Sequence, residues 1–149
     1  MFIARLRCAA IAGTLARMKF TTSLRVRYAE TDQMGVAYHG NYFAWFEVGR
    51  VELLRSLGLT YAALEELGCI LPVVEVQCQY RRPARYDDLL EIVTSLKAMR
   101  GPVLIFTYQL SRGDDLLAEA KTKHVVLDKE MKRRRMPEAY REAMLRILD

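Results

Sequence analysis

A five-stranded antiparallel β-sheet wrapped around one long helix, an α+β fold, is the architecture the sequence predicts. Asn41 to Leu57 repeats apolar side chains at helical spacing over a wide arc. One stretch before that helix and four after Pro72 alternate apolar and polar residues with a period of two. The later stretches are joined mostly by short, turn-rich connections, which imply antiparallel neighbours.

Phe20 to Tyr28 opens the domain as a half-buried strand, with Phe20, Thr22, Leu24, Val26 and Tyr28 on one face. A loop from Ala29 to Gly40 follows, flexible at Gly35 and Gly40. In the long helix, Tyr42, Trp45, Phe46, Gly49, Leu53 and Leu57 share an arc that Phe43 and Leu54 extend, and Gly58 stops it. Gly49 costs the helix about 1 kcal/mol relative to alanine. Its place in the apolar arc predicts close approach of another backbone.

Residues 60–67 form a short second helix ended by Gly68. Strands then follow through Val74, Val76, Cys78 and Tyr80; through Leu90, Ile92, Thr94, Leu96 and Ala98; and through Leu104, Phe106, Tyr108 and Leu110. Gly113-Asp114 signals a hairpin into a last strand from Leu117 to Leu127, and Pro137 opens an amphipathic helix of about ten residues. No repeat or linker marks a second domain.

Apolar residues make up 52% of the 149 residues and charged ones 28%, a globular composition with no run that reaches membrane-span length. Cys8, Cys69 and Cys78 suit neither a disulfide framework nor a zinc site; Cys78 reads as a small core residue, and the set fits a reducing, cytoplasmic setting. The net charge is +5, of which Arg5, Arg7 and Arg17 supply three. The remainder is nearly balanced, so the cluster Lys132 to Arg135 reads as a solvated surface rather than a nucleic-acid site. Nucleotide phosphates or an acidic carrier protein are better users of such charge. Residues 1–17 superficially resemble a short signal peptide. They are expected to be a disordered or mispredicted extension, leaving 18–149 as the domain.

The chemistry concentrates in Tyr28 to Tyr42, where an acid, two glycines and a histidine feed the start of the long helix. A helix start presents unpaired backbone N–H groups and a positive dipole end. Such donors can hold a developing oxyanion, and Asp32 lies close enough in sequence for the loop to return it there. On these residues alone, an acyl-transfer site and a simple Asp-capped turn both stand.

The string Val26-Arg27-Tyr28, Thr31-Asp32, Gly35, Tyr38-His39, Asn41-Tyr42, Phe46-Glu47, Arg50, Glu52 and Leu54-Arg55 resembles the 4-hydroxybenzoyl-CoA thioesterase-like hotdog family, particularly its YbgC-type acyl-CoA thioesterases. The resemblance spans Phe20 to about Pro137. It implies that Asp32 attacks an acyl-CoA thioester or activates water, with the N–H of His39 as oxyanion donor. It also implies that Gly35 permits the loop geometry and that Tyr38, Asn41 and Tyr42 shape the acyl pocket. Coenzyme A would lie on the surface near Arg81, Arg82, Arg85 or Arg100. The resemblance implies, further, an acyl-CoA or acyl-carrier-protein thioester as substrate, no need of a metal or organic cofactor, and a homodimer or homotetramer with sites between subunits.

Other readings stand beside these. The His39 imidazole either orients water or only caps the helix start, and His124 reads as structural. Arg50 points into the apolar arc, so an ion pair with Glu47 is its simplest partner. Another hotdog branch uses a helix-borne glutamate, which makes Glu47 a second catalytic candidate. A hotdog dehydratase or hydratase would place a histidine on the helix, and none lies between Tyr42 and Leu57. A catalytically silent acyl-CoA-binding protein is the non-enzymatic rival.

Overall fold

The computed structural model describes residues 19–149, so the expectation for residues 1–17 lies outside the described residues. The strands are β1 (Phe20–Arg25), β2 (Val73–Tyr80), β3 (Leu89–Arg100), β4 (Val103–Arg112) and β5 (Asp115–Val125). The helices are α1 (Asn41–Ser56), α2 (Tyr61–Glu66) and α3 (Glu138–Arg146). The five strands form one antiparallel sheet in the order β1-β3-β4-β5-β2. Among these residues no helix is long and apolar enough to cross a membrane.

The long helix forms where its periodicity places it. It closes in a paired motif in which Gly58 N–H donates to the Arg55 carbonyl and Leu59 N–H to that of Leu54. Gly58, at a φ of +75°, supplies the left-handed residue this closure requires. Tyr42, Trp45, Phe46, Leu53 and Leu54 are buried on the sheet side, and the Phe46 ring stacks on Tyr108 at 4.9 Å. Burying a side chain of that size contributes about 1.5–3 kcal/mol. In β4, Leu104, Phe106, Leu110 and Tyr108 are all buried, as their alternation requires.

Several expectations need correction. The first strand ends at Arg25 rather than Tyr28, because the Glu30 carboxylate accepts the Arg27 N–H at 2.7 Å and bends Tyr28–Glu30 into a 3₁₀ turn. Tyr28 is consequently exposed and meets Tyr86 edge-on. A β-bulge between Leu96 and Ala98 flips the end of β3, so Met99 rather than Ala98 lies opposite Leu104. The short connection from β2 to β3 does not join neighbours. It crosses from one sheet edge to the far half and passes the N-terminal tip of α1, where the Ala84 N–H donates to the Tyr42 hydroxyl at 3.1 Å.

β2 is an edge strand whose apolar row, Val74, Val76 and Tyr80, stays partly exposed, although the Tyr80 ring meets that of Tyr42 in α1 edge-on at 4.9 Å. Cys78 is only half buried against the core. Gly49 does sit at a close approach, but to side chains rather than backbone. A Cβ there would lie 2.6 Å from Thr94 Oγ1 and 3.0 Å from Ile92 Cγ2. Both belong to a packed strand face that has little room to yield. Gly49→Val is expected to lower stability by about 2 kcal/mol through overpacking, read as a reduced urea midpoint at unchanged slope.

Candidate active site

Glu30 builds the tip of α1. Its carboxylate, 7% exposed, accepts from Arg27 N, Arg27 Nη2 at 2.9 Å and Trp45 Nε1 at 3.0 Å. Its main-chain oxygen accepts from Tyr38 N and from Asn41 Nδ2, each at 2.8 Å. Burial alone would raise the Glu30 pKa, but the bonds from Arg27 and Trp45 outweigh it and hold the carboxyl below its ordinary value. Sequence reasoning passed over this residue. The available signal was an acid three residues after Arg27, positioned to bridge back to that residue's N–H.

The anchored loop returns on itself. Asp32 N–H donates to the Val36 carbonyl and Gly35 N–H to that of Asp32, with Gly35 at a φ of +73°. Asp32 Oδ1 accepts from Met34 N at 2.8 Å, so the turn-capping reading is correct for one oxygen. Oδ2 accepts nothing from the described residues, and the side chain lines a cleft of about 290 Å³ with His39, Tyr42 and Tyr80. The N–H groups of His39 and Gly40 have no acceptor among the described residues.

The His39 carbonyl accepts from the Tyr80 hydroxyl at 2.9 Å, and its ring packs against Tyr38 at 4.4 Å. The imidazole makes no hydrogen bond within the described residues. Tyr80, which the sequence did not single out, carries a phenol that burial and the neighbouring Cys78 push up to about 12, so it remains a proton donor. Asn41 and Tyr42 face inward, to Glu30 and Ala84, and hold the tip in place; Tyr38 is exposed at the rim.

The remaining candidates separate. Glu47 is exposed and lines a second cleft with Arg50 and Tyr61, away from Asp32 within the chain. The expected Glu47–Arg50 ion pair is absent among the described residues. Arg50 Nε donates to Tyr61 Oη at 2.8 Å and Nη1 to Tyr108 Oη at 3.2 Å. The guanidinium runs beneath the helix while Glu47 leaves its outer face. Arg81 is paired with Glu119 at 2.7 Å and Arg82 with Asp115. The Arg85 guanidinium has no carboxylate partner among the described residues, the Asp88 carboxylate being bonded to its backbone N–H instead, and Nη1 donates to the Gly35 carbonyl at 3.1 Å, beside the Asp32 loop. Arg100 ends β3 at the strand terminus opposite Leu89, roughly 35 Å along from it, which removes it from this site.

Beneath α1 runs a buried polar chain from Arg50 through Tyr108 and Thr122 to His124. Tyr108 Oη and Thr122 Oγ1 are 2.8 Å apart, Thr122 Oγ1 and His124 Nε2 are 2.8 Å apart, and His124 Nδ1 lies 3.3 Å from the Leu71 carbonyl. That carbonyl can only accept, so Nδ1 carries the proton and Nε2 accepts from Thr122. Burial, reinforced by the Arg50 charge, lowers the His124 pKa to about 4.

The class these features define is the hotdog thioesterase: an antiparallel sheet wrapped on a helix, with a carboxylate loop at the helix start. The profile of the thioesterase-like superfamily matches residues 26–144. The acyl-CoA thioester hydrolase YbgC of Escherichia coli O6:H1 is 38% identical over 122 residues, which is 80% of this chain and 91% of that protein. The acyl-CoA thioesterase YbgC of Haemophilus influenzae is 34% identical over 110 residues, 73% of this chain and 81% of that one. The crystal structure of a DHNA-CoA thioesterase from Staphylococcus aureus superposes with a TM-score of 0.83 at 29% identity, covering 87% of this chain and 90% of that one. The chain belongs to the thioesterase-like superfamily, among its YbgC-type acyl-CoA thioesterases.

His124 is neutral when folded and titrates near 6.5 when unfolded, so its stabilising contribution is complete above pH 6.5 and is lost as pH falls toward 4. The loss amounts to about 3 kcal/mol. Urea midpoints at pH 7, 5.5 and 4 are expected to fall more steeply for the wild type than for His124→Gln. Equal slopes would clear His124 of that role.

Proposed function

We propose that the protein hydrolyses acyl-CoA thioesters, or acyl groups carried on an acyl carrier protein, with Asp32 as the catalytic carboxylate. One observation carries this reading: an Asp32 carboxylate oxygen with no partner among the described residues shares a cleft with His39, whose N–H likewise has no acceptor among them, at the start of α1. A thioester carbonyl seated there would develop negative charge within reach of that N–H while Asp32 attacks the carbon or deprotonates a water that does. Addition of water across the C–S bond releases the free acid and the thiol of coenzyme A. Glu30 and Tyr80 act on the reaction only through the geometry of the helix tip. Glu47 lies outside this cleft in the single chain, so its participation would require a second subunit.

Arg85 is the strongest candidate for the coenzyme A phosphates, since Arg81 and Arg82 are engaged by carboxylates. The exposed row Val74, Val76 and Tyr80 on the open edge of β2 supports assembly with a second copy along that edge, as a homodimer or a pair of dimers. Tyr80 also lines the Asp32 cleft, so this assembly would place the site at the boundary between subunits. The unpaired Cys69 and Cys78 suit a cytoplasmic location.

The test is release of free thiol from a panel of acyl-CoA substrates differing in chain length and aromaticity. Asp32→Asn is expected to reduce kcat at least 100-fold with unchanged circular dichroism. Undiminished turnover in that variant would dismiss the assignment of Asp32.

A further inference from the structure

The proposed reaction makes no use of Arg50, although this guanidinium is 6% exposed and meets no carboxylate among the described residues. A cation so placed carries a desolvation penalty of several kcal/mol unless an anion compensates it. Two of its five N–H donors are taken, by the Tyr61 and Tyr108 hydroxyls. Tyr108 passes its proton on toward Thr122, whereas the Tyr61 hydroxyl accepts from Arg50 and has no described acceptor for its own proton. Arg50 lines a cleft of about 470 Å³ between α1 and α2, walled by Val51, Leu59 and Ala62.

We propose that this cleft is a carboxylate-binding subsite, in which the free N–H donors of Arg50 and the Tyr61 hydroxyl clasp the two oxygens. A planar guanidinium fork matches a carboxylate bidentately. The apolar walls call for a hydrocarbon body attached to it. Glu47 and Glu65 also line the cleft, and their charge penalises a dianion such as phosphate more than a singly charged carboxylate. Arg55, the other cation there, is tied to Glu52. Two sources present this chemistry: a free carboxylic acid, which is the product class of the proposed hydrolysis, and the distal carboxylate of a dicarboxylic acyl thioester held at the Asp32 cleft of a second subunit, since within one chain the two clefts share no lining residue. The second source rests on the thioesterase reading; the first does not.

The experiment titrates octanoate and 1-octanol into the full-length protein by calorimetry and compares kcat/KM for suberoyl-CoA with that for octanoyl-CoA. Octanoate is expected to bind at least tenfold tighter than octanol, and Arg50→Lys, which keeps the charge but loses the fork, to erase at least tenfold of that affinity. A suberoyl preference that falls in Arg50→Lys assigns the subsite to substrate; octanoate binding that falls with no suberoyl preference assigns it to free acid. If Arg50→Lys does not fold, Tyr61→Phe serves the same comparison with a smaller expected loss. Octanoate bound no better than octanol together with no suberoyl preference overturns the proposal. So does persistence of both signals, undiminished, in the folded variant. Failure of every acyl-CoA to be cleaved would count against the thioesterase reading and leave the octanoate titration to decide this one.

Discussion

Glu30 gathers three donors on its carboxylate and two more on its main-chain oxygen, and the start of α1 is built around that pairing. The arrangement joins the end of β1, the loop that carries Asp32, and the body of the helix through Trp45. These elements follow one another in the chain, and the Glu30 bonds fix the angles at which they meet, with Ala84 and Tyr80 bracing the tip from β2 and the loop after it. A buried carboxylate is tolerable only when such donors replace its water, and here they do so fully enough to hold it ionised. Without the anion, the buried Trp45 Nε1 would be left unpaired. The N–H groups at His39 and Gly40 have no acceptor among the described residues because a helix start offers no carbonyl four residues earlier within the helix.

Much of this architecture was legible in the residues. The apolar arc of α1, the inward row of β4, the glycine stop at Gly58 and the helix opening at Pro137 are local patterns with local causes, and they appear where periodicity puts them. The strand order was not legible. Alternation reports which face a strand buries but not which strand lies beside it, and the β2–β3 connection is short yet crosses the sheet. The bulge after Leu96 was equally silent, because a single extra residue leaves composition unchanged.

The site divides in the same way. Asp32 and His39 lie in one short stretch, so their proximity could be anticipated, whereas Tyr80 arrives from a strand 41 residues away and only the fold reveals it. Arg50 shows the limit of helix-surface rules. Spacing of three residues suggested Glu47 as its partner, but burial beneath the helix gave it two phenols from α2 and β4 instead. Whether an arginine lies along a helix surface or dives under it depends on the sheet opposite, which a helical wheel does not contain.

The phenol of Tyr80 has a consequence for how contacts made at the sheet edge would reach the helix tip. It is the last residue of an edge strand, and it clasps the peptide between His39 and Gly40. A neighbour that adds a strand to this edge would straighten or twist β2, and that displacement would reach the peptide through one hydrogen bond rather than through the core. The amide groups beside Asp32 are therefore mechanically wired to the rim of the sheet, so a load on that rim would reach the tip before it reached the packed interior.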